Sequence, residues 1–408
     1  MAAAAACMAR KVTFQIANTF RNLHFRRIGR LPSLYSSQSR SLSLSSFRLT
    51  IPEMEYPKVR RDESQVEELF GIKVADPYRW LEDVDAEETK AFVEAQNAVT
   101  IPYLEKCPHR QTIKTRLTEL WNYPKYTCPF RRGDKYFFFM NTGLQNQSVM
   151  YVQDTLEGEP RVFLDPNNLS EDGTVAISGS AFSEDGLTYA YGLSTSGSDW
   201  ITVHFKRVNP DEPECTEVLQ KVKFSSLSWT HDHKGIFYGR YHDHEGKADG
   251  TETISDINQK LYYHRVGTPQ SEDILVVEFP EHPKWRIGAE VTDCGKYLLV
   301  TPERDCRDNL LYFAPMPQHI TGKISDLTCI IDTFEADYEY ITNDGSVCVF
   351  RTNKGAPNYR LVKIDLCDPG PDKWVTLIPE NKKDVLDWAA CVNNNNLVIC
   401  YISDVKVP

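Results

Sequence analysis

Long apolar runs are absent from the 408-residue sequence, and so is any surplus of basic residues. A transmembrane helix needs about 20 predominantly apolar residues in a row, so we expect no membrane partner for the body of the chain. The net charge is -11, whereas a nucleic-acid backbone requires a Lys/Arg surplus on the binding face. With 41% hydrophobic and 25% charged residues, the composition is ordinary for a globular protein that binds no nucleic acid.

Acidic residues are missing from the first 52 positions, which contain eight Lys or Arg and a serine-rich stretch at 33–46. This composition predicts a transit peptide at 1–53, and hence a mitochondrial or chloroplast location. A disordered basic leader is the alternative, and translation from Met54 would give a cytoplasmic form. Without the eight positive charges, the net charge of -11 becomes about -19, so the body is strongly acidic.

Paired cysteine motifs are also absent. The eleven cysteines are an odd number, are spread singly and include no C-x-x-C pair. A chain of this size can hold itself together by its core, so we expect free thiols and a reducing compartment.

Motifs for nucleophilic, phosphate-binding and metal chemistry are missing too: the chain has no G-x-S-x-G, no P-loop, no H-E-x-x-H and no EF-hand loop. We therefore assign no catalytic residue and no cofactor. The strongest metal candidate is the pair of groups "HDH" at 231–233 and "HDHE" at 242–245. The first group coincides with a recurring polar turn, in which Asp232 stands where Asp185 stands in another repeat, so we predict no metal site.

Helical periodicity is present between residues 54 and 123. Asp85 is a candidate N-cap, Glu87 and Glu88 suit a first turn, and "RQTIKTRLTELW" at 110–121 has apolar residues on one face. These apolar faces have no obvious partner within their own segment. We expect them to pack on another part of a larger fold.

Short β-rich runs follow from residue 124, and each begins with a tight polar turn. The turn anchors are Gly133, Gly186, Gly235, Gly295, Gly345 and Asn395, at intervals of 53, 49, 60, 50 and 50 residues. A second marker is the strand that follows each hairpin, from "SVMYVQD" to "PNYRLVKIDL", and it keeps the same interval. A period near 50 predicts propeller blades, whereas a β-sandwich would show no register at this distance. At about fifty residues each, 124–408 holds five to six blades.

Several long segments closely resemble the prolyl oligopeptidase (prolyl endopeptidase) family. They include "DPYRWLEDVDAEETKAFVEAQN", "ELWNYPKY", "NTGLQNQSVMYVQD", "YGLSTSGSDW" and "QKLYYHRVGTPQSEDIL". The resemblance implies a seven-bladed β-propeller inserted into an α/β-hydrolase domain that carries Ser, Asp and His. Residues 54–123 would be the N-terminal helical segment of the hydrolase, and 124–408 an incomplete propeller. We expect the chain to stop inside a blade, upstream of the catalytic residues.

By the same resemblance, Phe224 and Cys306 match family positions that line the substrate cavity. A third family contact, a methionine, falls on Arg286. The implied partners are short proline-containing peptides, admitted by the propeller and cleaved after proline by a serine nucleophile that this chain lacks.

We therefore expect an N-terminal portion of such a peptidase that is inactive alone. The alternative is a non-catalytic interaction module, or a truncated gene product, that self-associates through an open propeller edge.

Overall fold

The computed structural model describes residues 55–253, 255–393 and 395–406, and the leader predicted at 1–53 lies outside them. Contacts divide the described chain into one unit that ends at Tyr123 and another that starts at Pro124. In the part of the chain described, no helix is both long and apolar enough to cross a membrane.

The N-terminal unit consists of a β-hairpin, a short 3-10 turn and two helices. In chain order these are β1 Val66–Leu69, β2 Ile72–Ala75, the 3-10 turn Arg79–Glu82, α1 Glu87–Glu105 and α2 Arg110–Trp121. The residue before α1 is Ala86, so the predicted N-cap at Asp85 is wrong. The Asp85 N–H instead donates to the Asp83 carboxylate at 3.1 Å, which turns the chain just before the helix starts.

Few contacts bury the apolar side chains of this unit. Trp80 packs edge-to-face on Phe92 of α1 at 6.2 Å, and Arg60 lies over the Trp80 ring while it pairs with Glu88. α2 has no buried residue. The exposed apolar side chains of the two helices are Val93, Ile101, Tyr103, Leu104, Ile113, Leu117, Leu120 and Trp121. The helical segment thus exposes apolar side chains on both helices.

The second unit consists of successive antiparallel sheets, which we name blades 1 to 6. Blade 1 contains β3 Lys125–Tyr126, β4 Phe130–Arg132, β5 Lys135–Asn141, β6 Val149–Gln153 and β7 Arg161–Leu164. Blade 2 contains β8 Ala176–Phe182, β9 Thr188–Ser194, β10 Trp200–Arg207 and β11 Val218–Lys223. Blade 3 contains β12 Leu227–Trp229, β13 Gly235–Arg240, β14 Lys260–Arg265 and β15 Ile274–Val277.

The remaining three blades continue the same up-and-down order. Blade 4 contains β16 Arg286–Val291, β17 Tyr297–Glu303, β18 Leu311–Pro315 and β19 Thr328–Ile331. Blade 5 contains β20 Tyr338–Asp344, β21 Val347–Thr352, β22 Arg360–Asp365 and β23 Val375–Ile378. Blade 6 contains β24 Val385–Val392 and β25 Asn396–Ile402.

The recurring turn connects β4 to β5 in blade 1 and the first strand to the second in blades 2 to 6. Every such turn contains a residue with positive φ, a conformation that favours glycine and asparagine. These residues are Gly133, Gly186, His233, Gly295, Gly345 and Asn393. Gly235 was the predicted anchor in blade 3, but it begins β13 and His233 takes the left-handed position. The predicted phase is therefore wrong by two residues in blade 3, and also in blade 6, where Asn393 and not the predicted Asn395 has positive φ.

Apolar side chains fill the space between neighbouring blades, with one hydrophobic cluster for each successive pair. Alternate residues of one strand point to opposite neighbours, as the pleat requires. In β13, Ile236 and Tyr238 pack with blade 2, whereas Phe237 packs with blade 4. A strand buried on both faces explains why these runs are apolar without alternation.

Two departures from the regular repeat stand out. Blade 3 has a long connection between β13 and β14, at residues 241–259, which accounts for the 60-residue interval. Blade 6 has one strand pair among the described residues, and β25 pairs only with β24 there. Its exposed apolar residues include Val392, Val398 and Ile399.

Candidate functional site

Phe224 lies between the last strand of blade 2 and the first strand of blade 3, with φ at 52°. A bulky residue in this region of φ is strained and must be held by its surroundings. The buried Gln259 side chain supplies the restraint. Its Nε2 donates to the carbonyl oxygens of Lys223 at 2.8 Å and Phe224 at 3.3 Å, and its Oε1 accepts from the Ile287 N–H at 2.6 Å.

Arg286 connects Phe224 to the segment that carries Cys306. Its guanidinium lies 5.2 Å from the centre of the Phe224 ring, within cation–π range. Its Nη2 donates to the Asp305 carbonyl oxygen at 2.8 Å and lies 3.4 Å from a Glu303 carboxylate oxygen. Cys306, which is partly buried, comes directly after Asp305. Phe224 and Asp305, which are 81 residues apart in the sequence, thus contact the same side chain.

Lys223, the residue before Phe224, is the centre of a buried charged cluster. The sequence did not predict this cluster. Its side chain is 11% exposed, and its Nζ lies 2.7 Å from Asp256 and 3.6 Å from Glu252. The same Nζ lies 4.8 Å from the Trp200 ring centre and 5.4 Å from that of Phe224. No local motif marks this cluster, because its members come from β10, β11 and the long 241–259 connection.

The Glu252 carboxylate of this cluster is held as an anion. Burial raises the pKa of Glu252, but hydrogen bonds from the Trp200 indole, its own N–H and the Gly250 N–H, with the charge of Lys223, lower it below its usual value. The second carboxylate, Asp256, lies 3.3 Å from His244 Nδ1 and bridges that imidazole to Lys223. The ionic contacts attach the 241–259 connection to β11.

The two histidine groups have separate local roles. The turn residue Asp232 accepts hydrogen bonds from the Thr230 hydroxyl at 2.6 Å and the Lys234 N–H at 3.1 Å, as expected for a repeated turn. His244 packs on Trp200 at 4.7 Å in the charged cluster. Within the described ranges, no group of three His, Cys, Asp or Glu side chains could hold a metal ion.

The groups at Phe224, Arg286 and Cys306 can bind a ligand. An aromatic ring gives an apolar surface, and the adjacent guanidinium donates hydrogen bonds to a carbonyl or carboxylate oxygen. The positive charges of Lys223 and Arg286 face Glu252, Asp256 and Glu303, so this region carries no cationic surplus. We find no base-activated nucleophile in the arrangement.

Comparison with known proteins identifies the family. The family model described as "Prolyl oligopeptidase, N-terminal beta-propeller domain" matches residues 57–408. Prolyl oligopeptidase A of Amanita bisporigera is 38% identical over 405 residues, which cover 92% of this chain and 52% of the relative. The prolyl endopeptidase of Elizabethkingia meningoseptica is 36% identical over 330 residues, which cover 81% of this chain and 45% of the relative.

Solved structures show the same relationship. Prolyl oligopeptidase B from Galerina marginata, bound to a 35mer hydrolysis and macrocyclization substrate, superposes with a TM-score of 0.76 at 32% identity. The match covers 86% of this chain and 52% of that one. These matches confirm the predicted mainly β, propeller-type fold, and the chain spans about half the length of the curated relatives it matches. The chain belongs to the prolyl oligopeptidase family and matches its N-terminal propeller region.

Proposed function

We propose that this chain is the propeller-bearing portion of a serine-type endopeptidase that cleaves short peptides after proline. The propeller controls which peptides enter, and the Ser, Asp and His that break the bond belong to a hydrolase domain. The observation that carries the proposal is the family match over 57–408, together with coverage of about half of each relative.

The polypeptide of 408 residues should then not hydrolyse peptides alone. A post-proline fluorogenic peptide tests this with the purified chain, and a family relative serves as the positive control. We expect no turnover above the buffer blank. Turnover that a serine-directed covalent inhibitor abolishes would contradict the proposal, because it would require a nucleophile within the chain.

Phe224, Arg286 and Cys306 are the proposed peptide-contacting side chains of this portion. The shared contacts of Arg286 support this grouping, since its guanidinium touches both the Phe224 ring and the segment before Cys306. A proline ring would lie on Phe224, with a peptide carbonyl oxygen accepting from Arg286. The roles of Phe224 and Cys306 stay predictions from the family resemblance, whereas Arg286 stands where the family has a methionine and is proposed from its contacts alone.

Fluorescence anisotropy with a labelled proline-containing peptide measures this contribution. We expect Phe224→Ala to weaken binding about tenfold, since one lost aromatic contact of about 1.4 kcal/mol corresponds to that factor. Leu187→Ala is the matched control, because Leu187 is an exposed apolar residue in the turn of blade 2. Equal affinity of the Phe224→Ala variant and the unaltered chain would remove Phe224 from the site.

A non-catalytic interaction module is the second candidate function. Two observations favour it: β25 pairs only with β24 among the described residues, and the side chains of Val392, Val398 and Ile399 are exposed, so this strand pair could pair with another copy. Size-exclusion chromatography with light scattering measures the mass directly. A dimer that Val398→Lys converts to monomer supports this candidate, and a monomer at all concentrations contradicts it.

We also propose, from the composition of residues 1–53, that these residues direct the chain to a mitochondrion or chloroplast, with a cytoplasmic form if translation starts at Met54. Imaging a fluorescent protein fused to residues 1–53 tests this, and a diffuse cytoplasmic signal would contradict an organelle address.

A further inference from the structure

The turns of blades 2 and 3 each hold an anionic side chain in the same way. In blade 2, the Ser183 hydroxyl donates to the Asp185 carboxylate at 2.5 Å, and the backbone N–H two residues later donates to it at 3.0 Å. In blade 3, the corresponding donors to Asp232 are the Thr230 hydroxyl and the Lys234 N–H. Burial raises the pKa of Asp232, but these hydrogen bonds and the Lys234 charge lower it below its usual value.

Blade 4 places a thiol in this position. Thr292 corresponds to Ser183 and Thr230, and Cys294 corresponds to the aspartates. The Cys294 sulfur lies 3.5 Å from the Thr292 hydroxyl and accepts a hydrogen bond from Asn343 Nδ2 of blade 5 at 3.0 Å. Burial raises the pKa of Cys294, but these donors, the Lys296 N–H and the Lys296 charge lower it below the usual thiol value. The thiol also lies 3.8 Å from the Gly345 carbonyl oxygen, but the donors outweigh this contact and favour the thiolate.

A second thiol lies on the strand paired with the one that carries Asn343. Cys348 of β21 is directly opposite Asn343 of β20 in the antiparallel register. Opposed residues share a face, with Cβ atoms about 4.5–5.5 Å apart. Because the Asn343 amide reaches the Cys294 sulfur, one side chain separates the two cysteines. Their proximity also appears electrostatically: burial raises the pKa of Cys348 to about 12, and the negative charge of Cys294 adds to this rise.

We propose that Cys294 and Cys348 form a disulfide when the protein meets a peroxide. The Cys294 thiolate attacks one peroxide oxygen, the O–O bond breaks, and the products are Cys294 sulfenic acid and hydroxide. The Cys348 sulfur then attacks the Cys294 sulfur and loses its proton, the S–O bond breaks, and water leaves. Two thiols are oxidised by two electrons in total, and one peroxide is reduced. The bond covalently joins the first turn of blade 4 to the second strand of blade 5.

The two residues have different parts in this reaction. Cys294 is partly exposed, so a small peroxide can reach it, whereas Cys348 is fully buried. A disulfide requires a distance of roughly 3.5–4.5 Å between the Cβ atoms of Cys294 and Cys348. In the proposal, the surface turn that contains Cys294 moves to reach this distance, and the Asn343 amide moves aside. The inference rests on this pair alone and is independent of the proposed peptidase function.

Peptide mapping of the oxidised chain tests the proposal. The reduced 408-residue protein is treated with hydrogen peroxide, blocked with N-ethylmaleimide and digested with trypsin without reductant. We expect a cross-link between "IGAEVTDCGK", residues 287–296, and the peptide at 324–351, with a loss of two free thiols per chain. The second peptide also contains Cys329, so the cross-link should persist in a Cys329→Ser variant.

Cys294→Asp is the decisive variant, because it installs the residue that blades 2 and 3 carry in the same turn. We expect it to fold and to lose the cross-link, whereas the control Cys306→Ser should keep it. In Cys348→Ala, a dimedone probe should trap Cys294 as sulfenic acid. If that variant fails to fold, Cys294→Asp alone decides. A cross-link that joins Cys294 to Cys367, survives in Cys294→Asp or never forms would overturn the proposal.

Discussion

The spaces between blades and the surface of the N-terminal helices hold similar apolar residues with opposite fates. Phe237 and Leu298 are fully buried between blades 3 and 4, while Leu117 and Trp121 of α2 are 60% and 59% exposed. Apolar periodicity predicts which face of an element is hydrophobic, but a neighbouring element is needed to bury that face. A repeat supplies its own neighbours. The difference separates a region whose apolar side chains are buried from one whose apolar side chains are exposed.

Truncating a side chain in each region should show this contrast most strongly. Phe237→Ala leaves a cavity between blades 3 and 4, and we expect it to lower the free energy of unfolding by about 3–5 kcal/mol. Leu117→Ala changes an exposed position and should shift it by less than about 0.5 kcal/mol. Urea unfolding followed by circular dichroism measures both.

Phe237→Leu is the matched control, since it keeps most of the apolar volume and should cost less than Phe237→Ala. Equal losses for Phe237→Ala and Leu117→Ala would mean that α2 has a packing partner in solution.

Breaking a polar contact should also lower the free energy of unfolding more in the blades than in the N-terminal unit. Asp273 is buried and accepts hydrogen bonds from the Tyr238 hydroxyl and from His264 Nδ1, the latter at 2.7 Å. Asp273→Ala leaves the buried His264 Nδ1 without a partner and the Tyr238 hydroxyl with only the hydrogen bond from Gln270 Nε2 at 2.9 Å, so we expect a loss of about 3 kcal/mol. In the N-terminal unit, Glu88→Gln breaks an exposed pair with Arg60 and should leave the unfolding midpoint unchanged.

Alkaline pH should lower the free energy of unfolding of the blades, because the Cys348 thiol is buried in them. Burial raises the pKa of Cys348 to about 12, so the folded state keeps a proton that the unfolded state releases above about 8.5. Stability is therefore fully present below that value and falls as pH rises towards 12. Cys348→Ala should flatten the fall between pH 9 and 11, relative to its own stability at pH 7. A steeper fall in this variant would reverse the assigned sign.

Much of the propeller could be predicted because its turns constrain the sequence. A tight hairpin turn needs a left-handed residue, so glycine or asparagine recurs at a fixed phase and reveals the period. Blade 3 deviates because His233 adopts that conformation, and a histidine does not mark such a turn in the sequence. The helix start was misplaced because Asp83, and not Asp85, provides the side chain that turns the chain.

The site was less predictable because its contacts are distant in sequence. Only the family resemblance drew attention to Phe224, Arg286 and Cys306, and nothing local shows that one guanidinium touches two of the three segments. Lys223 also escaped prediction, since a lysine at a strand end usually faces solvent, whereas here two carboxylates 29 and 33 residues away bury it.

Hydrogen exchange read by mass spectrometry tests the central contrast most directly, because it measures local stability in both regions of one sample. The account predicts that β13 and β17 exchange only through global unfolding, while α2 exchanges orders of magnitude faster. Equal protection of α2 and of these strands would contradict it, because the helices would then be as firmly packed as the blades.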